Sequence, residues 1–252
     1  MLRSCVAFFL QKNGRQLPTV GLFSKKAGKS TKPSRLRLCA VYFFSTRYLC
    51  GMEPHLHNTT LGLKLPTDPR WVNLAEIDLG EILTDHAYCE QKAATACISL
   101  IQAYPERTEL VEELAPVVTE EWGHFRMVLA ELKKRDLALG RQRKDEYVNQ
   151  LLGFQRKGLS REEALLERLL TCALIEARSC ERFRLLSLHC SEEDLRGWYH
   201  KFMVAEAGHY RLFLDLAEQY FGKEKTRARW QEYLRHEAGI MPELVPRGDR
   251  MH

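Results

Sequence analysis

The chain has 252 residues, 45% hydrophobic and 28% charged, which suits one sizeable globular domain, and its apolar runs are all too short to span a bilayer. Its net charge of +5 hides a division: residues 1–52 hold ten Lys or Arg and no acid, while the remaining 200 hold 28 basic and 33 acidic side chains, or −5. A uniformly basic nucleic-acid binder is thereby excluded, and eight cysteines without one Cys-x-x-Cys pair exclude a zinc ribbon or a disulfide scaffold.

The stretch 1–52, with Lys25, Lys26, Lys29 and Lys32 among Ser, Gly and Pro, has no sustained helical period and reads as a basic extension outside the fold. No small-residue cleavage pattern follows its hydrophobic cluster at 6–10, so a secretory signal is not expected. It is either an organelle transit peptide or sequence upstream of a start at Met52. The second is preferred, because ordered patterning begins about twenty residues after Met52. Residues 53–252 then form the functional domain, with a cytoplasmic location expected.

From about residue 74 apolar residues recur at intervals of three and four, without strand-like alternation. A first helix is predicted over 74–103, with Leu79, Leu83, His86, Glu90, Ala94, Cys97 and Ile101 on one stripe and Pro105 beyond its end. A second, over 107–135, aligns Leu110, Leu114, Val117, Glu121, His124, Val128 and Leu132; Pro116 inside it predicts a kink or a junction of two shorter helices. A linker with Gly140, Gly153, Gly158 and an amphipathic piece near 145–156 leads to a third helix over 161–189, opened by the capping box of Ser160 and Glu163. Ser191 is the expected N-cap of a fourth helix over 192–221, which Gly222 closes, and a terminal helix over 224–238 follows. Two antiparallel pairs joined by a crossover between helices 2 and 3 predict an all-α four-helix bundle with an additional C-terminal helix.

Acids and histidines occupy the stripes that should face the core. Glu121/His124 and Glu206/His209 are Glu-x-x-His pairs, and positions three apart on a helix project from nearly one face, so each pair can bind one ion. Each preceding helix adds a stripe Glu, Glu90 or Glu176. Four buried carboxylates need compensation, and divalent cations are the usual one. A Glu from each of two helices with Glu-x-x-His from each of the other two is the di-iron carboxylate constellation.

Hairpin geometry tests the choice, because residues equidistant from a turn lie at one height. Glu90 and Glu121 are centred beside Pro105, and Glu176 and Glu206 on Ser191. Glu181, the rival to Glu176, would be displaced by about 7 Å along the axis and is expected to be an outer partner or a surface residue. His86, one turn before Glu90, is either a donor to a ligand carboxylate or a satisfied core histidine. Cys89, Cys97, Cys172 and Cys180 read as small core residues, and Trp122, Trp198, Tyr199 and Tyr210 as packing.

The runs TDHAYCEQKAA (84–94), EEWGHF (120–125), ALIEARSCERF (173–183) and AEAGHY (205–210) resemble the MiaE family of tRNA hydroxylases over about 71–252. The resemblance implies a ferritin-like di-iron monooxygenase that hydroxylates the isopentenyl group of 2-methylthio-N6-isopentenyladenosine beside the anticodon. It implies Glu90, Glu121, His124, Glu176, Glu206 and His209 as ligands of two iron ions, and no catalytic side chains beyond them. Such an enzyme uses O₂ and two external electrons. Lacking a Gly-x-Gly-x-x-Gly fingerprint or an iron–sulfur cysteine set, the chain is expected to take them from a separate ferredoxin or reductase.

Residues 133–161 hold nine basic side chains against three acids, a local +6 that could neutralise tRNA phosphates, with Arg141, Arg143, Lys144, Arg156 and Lys157 as the candidates. The competing reading of this stretch is a solvated connector. The competing function is a ferritin- or rubrerythrin-like iron oxidase or peroxidase built on the same bundle.

Overall fold

The computed structural model describes residues 60–252; the basic extension 1–52 and the expected start at Met52 lie outside them. The described residues form seven α-helices and no strand: α1 (Trp71–Ala75), α2 (Leu79–Ala103), α3 (Thr108–Lys134), α4 (Glu146–Phe154), α5 (Arg161–His189), α6 (Glu193–Phe221) and α7 (Lys223–Ile240). None of them is long and apolar enough to cross a membrane.

The expected first helix is divided. Residues 76 and 77 turn, and Asp78 restarts the chain as N-cap of α2, its carboxylate accepting from the Glu81 N–H at 3.0 Å. Pro116 is not a junction of two shorter helices: α3 runs through it without a break. Pro116 and Glu112 both lie on the exposed face, so the carbonyl that loses its N–H partner can be hydrated. The Ser160/Glu163 capping box opens α5, with both reciprocal bonds present. Ser191, by contrast, is not the N-cap of α6. Glu192 takes that position, and the Ser191 N–H and hydroxyl donate to Glu76 Oε1 at 2.6 and 2.7 Å. The α5–α6 turn is thus fastened to the α1–α2 corner. Gly222, at φ +81°, ends α6 in a conformation that a side chain would strain, and α7 starts at the next residue.

α2 packs on α3 and α5 on α6 as antiparallel hairpins, with α4 in the crossover lying on α5 and α7. α7 in turn covers α5 and α6. α5 is consequently enclosed over most of its circumference, and even Glu167, Arg178, Glu181 and Arg182 are buried. The bundle interior holds two apolar clusters. One gathers Leu100, Leu110, Leu114, Leu169, Leu170, Phe213 and Leu216; the other gathers Leu83, Phe125, Val128, Phe183, Leu186, Tyr199 and Phe202. Each long helix contributes to both clusters, and the polar side chains of the site fall on the turns between.

Candidate metal centre

Glu90 of α2, Glu121 and His124 of α3, Glu176 of α5, and Glu206 and His209 of α6 meet at mid-bundle, none more than 8% exposed. The level is set by the turns. Tyr104–Arg107 and Cys190–Glu192 bracket the midpoints of Glu90/Glu121 and Glu176/Glu206. The six side chains form two overlapping quartets, Glu90–Glu121–His124–Glu206 and Glu121–Glu176–Glu206–His209, each with its donor atoms within 4.8 Å of one another. Glu121 and Glu206 belong to both, the position of carboxylates that can touch two ions.

The imidazoles are oriented alike. His124 Nδ1 lies 3.5 Å from Glu90 Oε2 and 3.5 Å from Glu121 Oε2, while His209 Nδ1 lies 2.8 Å from Glu121 Oε1 and 3.7 Å from Glu206 Oε2. Both Nε2 atoms face Glu120 instead, at 3.9 Å from His124 and 3.2 Å from His209. The sequence reading missed Glu120. Its signal was the second acid of the Glu-Glu pair, one turn ahead of His124, and its half-exposed carboxylate spans both rings from the solvent side. A carboxylate on Nε2 favours the N–H there and leaves Nδ1 as the free lone pair.

Charge in this interior is poorly matched. Burial, followed by repulsion from the adjacent carboxylate, holds Glu90 and Glu176 well above the ordinary carboxylate range. Glu206 is pushed up to about 7, again by burial first. Burial also opposes a charge on Glu121, but the His124 and His209 rings outweigh it and lower its pKa. His209 is the mirror case: burial would lower it, yet Glu121 and Glu206 raise it to about 12. Both Glu121 oxygens and the Nδ1 atoms of His124 and His209 make no hydrogen bond, even where the distance is 2.8 Å. Buried polar atoms in native proteins are rarely left so. Four carboxylates and two imidazoles with lone pairs to spare fit a pair of divalent ions, and this oxygen-rich set suits iron or manganese.

His86 lies against the first quartet. Its Nε2 is 2.7 Å from Glu90 Oε1, and Phe183, Trp198, Tyr199 and Phe202 surround the ring. Burial holds its pKa well below the usual value, so the ring is neutral, and its tautomer sets which partner donates in the bond to Glu90. Glu181 is neither an outer partner of the site nor a surface residue. It is buried on another face of α5, paired with Arg178 and accepting from the Thr67 hydroxyl at 2.6 Å. Trp122, expected to pack, is 47% exposed. Among the basic candidates Arg141, Lys144 and Lys157 are exposed and make no ion pair among the described residues. Arg143 pairs with Glu81 and Asp249, and Arg156 pairs with Glu232 at 3.1 Å.

A four-helix bundle with Glu-x-x-His on two helices and a facing Glu on each of the others defines the class of ferritin-like carboxylate proteins. The family described as tRNA-(MS2IO6A)-hydroxylase (MiaE) matches residues 55–252. A tRNA 2-(methylsulfanyl)-N(6)-isopentenyladenosine(37) hydroxylase of Pseudomonas putida is 37% identical over 174 residues, covering 69% of this chain and 82% of the relative. The protein of that name from Salmonella typhimurium is 26% identical over 230 residues, 71% of this chain and 83% of its own length. A solved structure, protein 43 with aldehyde deformylating oxygenase activity from Synechococcus, superposes with a TM-score of 0.71 at 35% identity, covering 75% of this chain and 94% of that one. The chain belongs to the MiaE family.

Proposed function

We propose that this protein is a tRNA-modifying di-iron monooxygenase that hydroxylates the isopentenyl side chain of 2-methylthio-N6-isopentenyladenosine next to the anticodon. The observation behind it is the pair of buried quartets sharing Glu121 and Glu206, in a chain of the MiaE family. Glu90, Glu121 and His124 would hold one iron and Glu176, Glu206 and His209 the other, with Glu121 and Glu206 placed to bridge. When bound, the two ions would activate O₂ with two electrons from a separate ferredoxin or reductase, supplying the oxidising power that hydroxylation of an allylic methyl group demands.

The protein's own contribution is binding, orientation and exclusion of water. His86 holds Glu90 in place by its 2.7 Å contact, and Glu120 steadies both imidazoles. The apolar clusters on either side keep bulk water from the reacting end. Arg141, Lys144 and Lys157 are exposed to meet tRNA phosphates, while Arg143 and Arg156 would first have to release their carboxylate partners. A tRNA substrate would place the enzyme in the cytoplasm. The family match sets this reading above an iron-storage or peroxidase role.

The deciding experiment is mass spectrometry of tRNA nucleosides from a host lacking the activity, with and without this gene. Hydroxylated isopentenyladenosine should appear only with it. Its absence from cells containing the iron-loaded protein would overturn the proposal.

A further inference from the structure

α2 and α5, the helices that give a Glu but no His, barely approach each other, since each is packed on its own hairpin partner. Between them runs a cleft of about 320 Å³ that has Glu90, Glu176 and Glu206 at its buried end. Its wall is apolar, built by Ala96 and Leu100 of α2, Cys172 and Ile175 of α5 and Phe213 of α6. Cys89 and Cys172, expected in the core, are half-buried, pack against the two apolar clusters and also line this cleft.

The cleft changes character towards α4. There the His252 imidazole, 2% exposed, lies with Nδ1 3.3 Å from Asp145 Oδ2 and Nε2 2.9 Å from Ser179 Oγ, stacked on Tyr147. Asp145 is also the N-cap of α4, so this polar group is tied to the crossover. Lys92 stands 3.8 Å from Asp145, and its ammonium makes no hydrogen bond. It borders an adjoining groove lined by Gln142, Arg143 and Lys144. The other approach to the centre is different. A groove along α3, lined by Glu120, Gly123, His124, Arg126, Met127 and Ala130, reaches only the outer edge of His124, where Glu120 stands over the ring.

We propose that the α2–α5 cleft seats the prenylated adenine, its hydrocarbon chain inward along Cys172, Ile175 and Phe213 and its purine at the outer end, where the Asp145–His252–Ser179 group shapes the mouth. This rests on the hydroxylase reading and assigns the face from which the substrate enters. An apolar channel ending at three of the carboxylates brings a methyl group to the metals without drawing water along. At the outer end the Asp145–His252–Ser179 group makes its hydrogen bonds within the protein and so holds the shape of the mouth through which the base enters. The adjoining groove, with the exposed Lys144 on its wall, then lies where flanking phosphates would pass.

The test uses the iron-loaded full chain and an anticodon stem–loop RNA carrying 2-methylthio-N6-isopentenyladenosine. Ile175→Trp should lower kcat/KM by about 100-fold while iron per chain stays at the wild-type level. Cys172→Phe, filling the same wall, should act in the same direction. His252→Ala, which unties Asp145 and Ser179 and loosens the mouth, should raise KM by about tenfold with kcat nearly unchanged. Ala130→Trp, filling the groove on α3, should change neither. Wild-type kinetics in both cleft-filling variants, or a loss confined to Ala130→Trp, would overturn the proposal. Equilibrium binding of free N6-isopentenyladenosine separates the two levels of inference. If the wild type turns over no RNA yet binds the nucleoside and Ile175→Trp does not, the hydroxylase reading fails and the cleft stands. Binding that is equal in both proteins, or absent from both, removes the cleft.

Discussion

Two clusters of buried acids share helix α5 and are treated in opposite ways. On one face Glu181 and Glu237 pair with the fully buried Arg178, whose Nε donates to Glu237 at 2.8 Å, and Thr67 completes the network. About three turns earlier on α5, Glu167 receives two bonds from Arg229, at 2.8 and 2.7 Å, and one from the Tyr233 hydroxyl at 2.8 Å. On the other face Glu176 joins Glu90, Glu121 and Glu206, whose ion pairs among the described residues are with histidines and not with Lys or Arg. Burying a charge costs several kcal/mol unless a partner offsets it. In the first cluster the chain supplies that partner itself. In the second it supplies lone pairs and leaves the cations to come from outside, which is how a structural network differs from a metal centre.

The largest effect that would break this contrast comes from the shared carboxylates. Glu121→Ala should abolish turnover and reduce metal content to below one ion per chain, well beyond the ~100-fold that loss of an outer partner causes. Thermal stability of the metal-free variant should change little, because the lost attraction to His124 and His209 is offset by relief of repulsion on Glu90 and Glu206; a large loss of metal-free stability would make the site structural. Arg178→Met is the reciprocal variant. It should cost about 3–5 kcal/mol in urea unfolding by leaving two buried carboxylates unpaired, while metal stoichiometry of the folded protein stays normal.

Glu120→Ala should weaken metal affinity by about 10–100-fold, read by anaerobic titration with Co²⁺, with little change in melting temperature because the side chain is half-exposed. Unchanged affinity would deny Glu120 its orienting role. The smallest expected effect is a pH dependence. Glu206 has a pKa of about 7 in the metal-free fold, above the ordinary 4.5. Its protonated form therefore favours folding fully below about pH 4.5, and that contribution is lost as pH rises through about 7. Metal-free protein should melt a few degrees lower at pH 8 than at pH 5.5, and added divalent metal should abolish or invert the trend. The Arg178 cluster should show no such metal-linked inversion.

Much of the site was legible because it obeys helix periodicity. Glu90, Glu121, His124, Glu176, Glu206 and His209 each share a stripe with apolar residues, and hairpin symmetry then puts them at one level whatever the details of packing. The Ser160 capping box was legible for the same local reason. Glu120 and the cleft were not, since a second Glu on an exposed position and an apolar wall look like ordinary surface and ordinary core.

What the sequence determined by itself was the set of four long helices, their register about two turns and the chemistry gathered at their centre, all consequences of spacing along one chain. Tertiary structure decided everything that depends on which helix covers which. α7 and the Thr67 segment enclose α5, and so turn Glu181 from an expected surface or outer residue into the partner of Arg178. The α1–α2 corner takes Ser191 from its cap. His252 reaches Asp145 across 107 positions of sequence to line the cleft. Periodicity reports only which face of a helix is buried by its own hairpin; burial by a distant segment leaves no period to read.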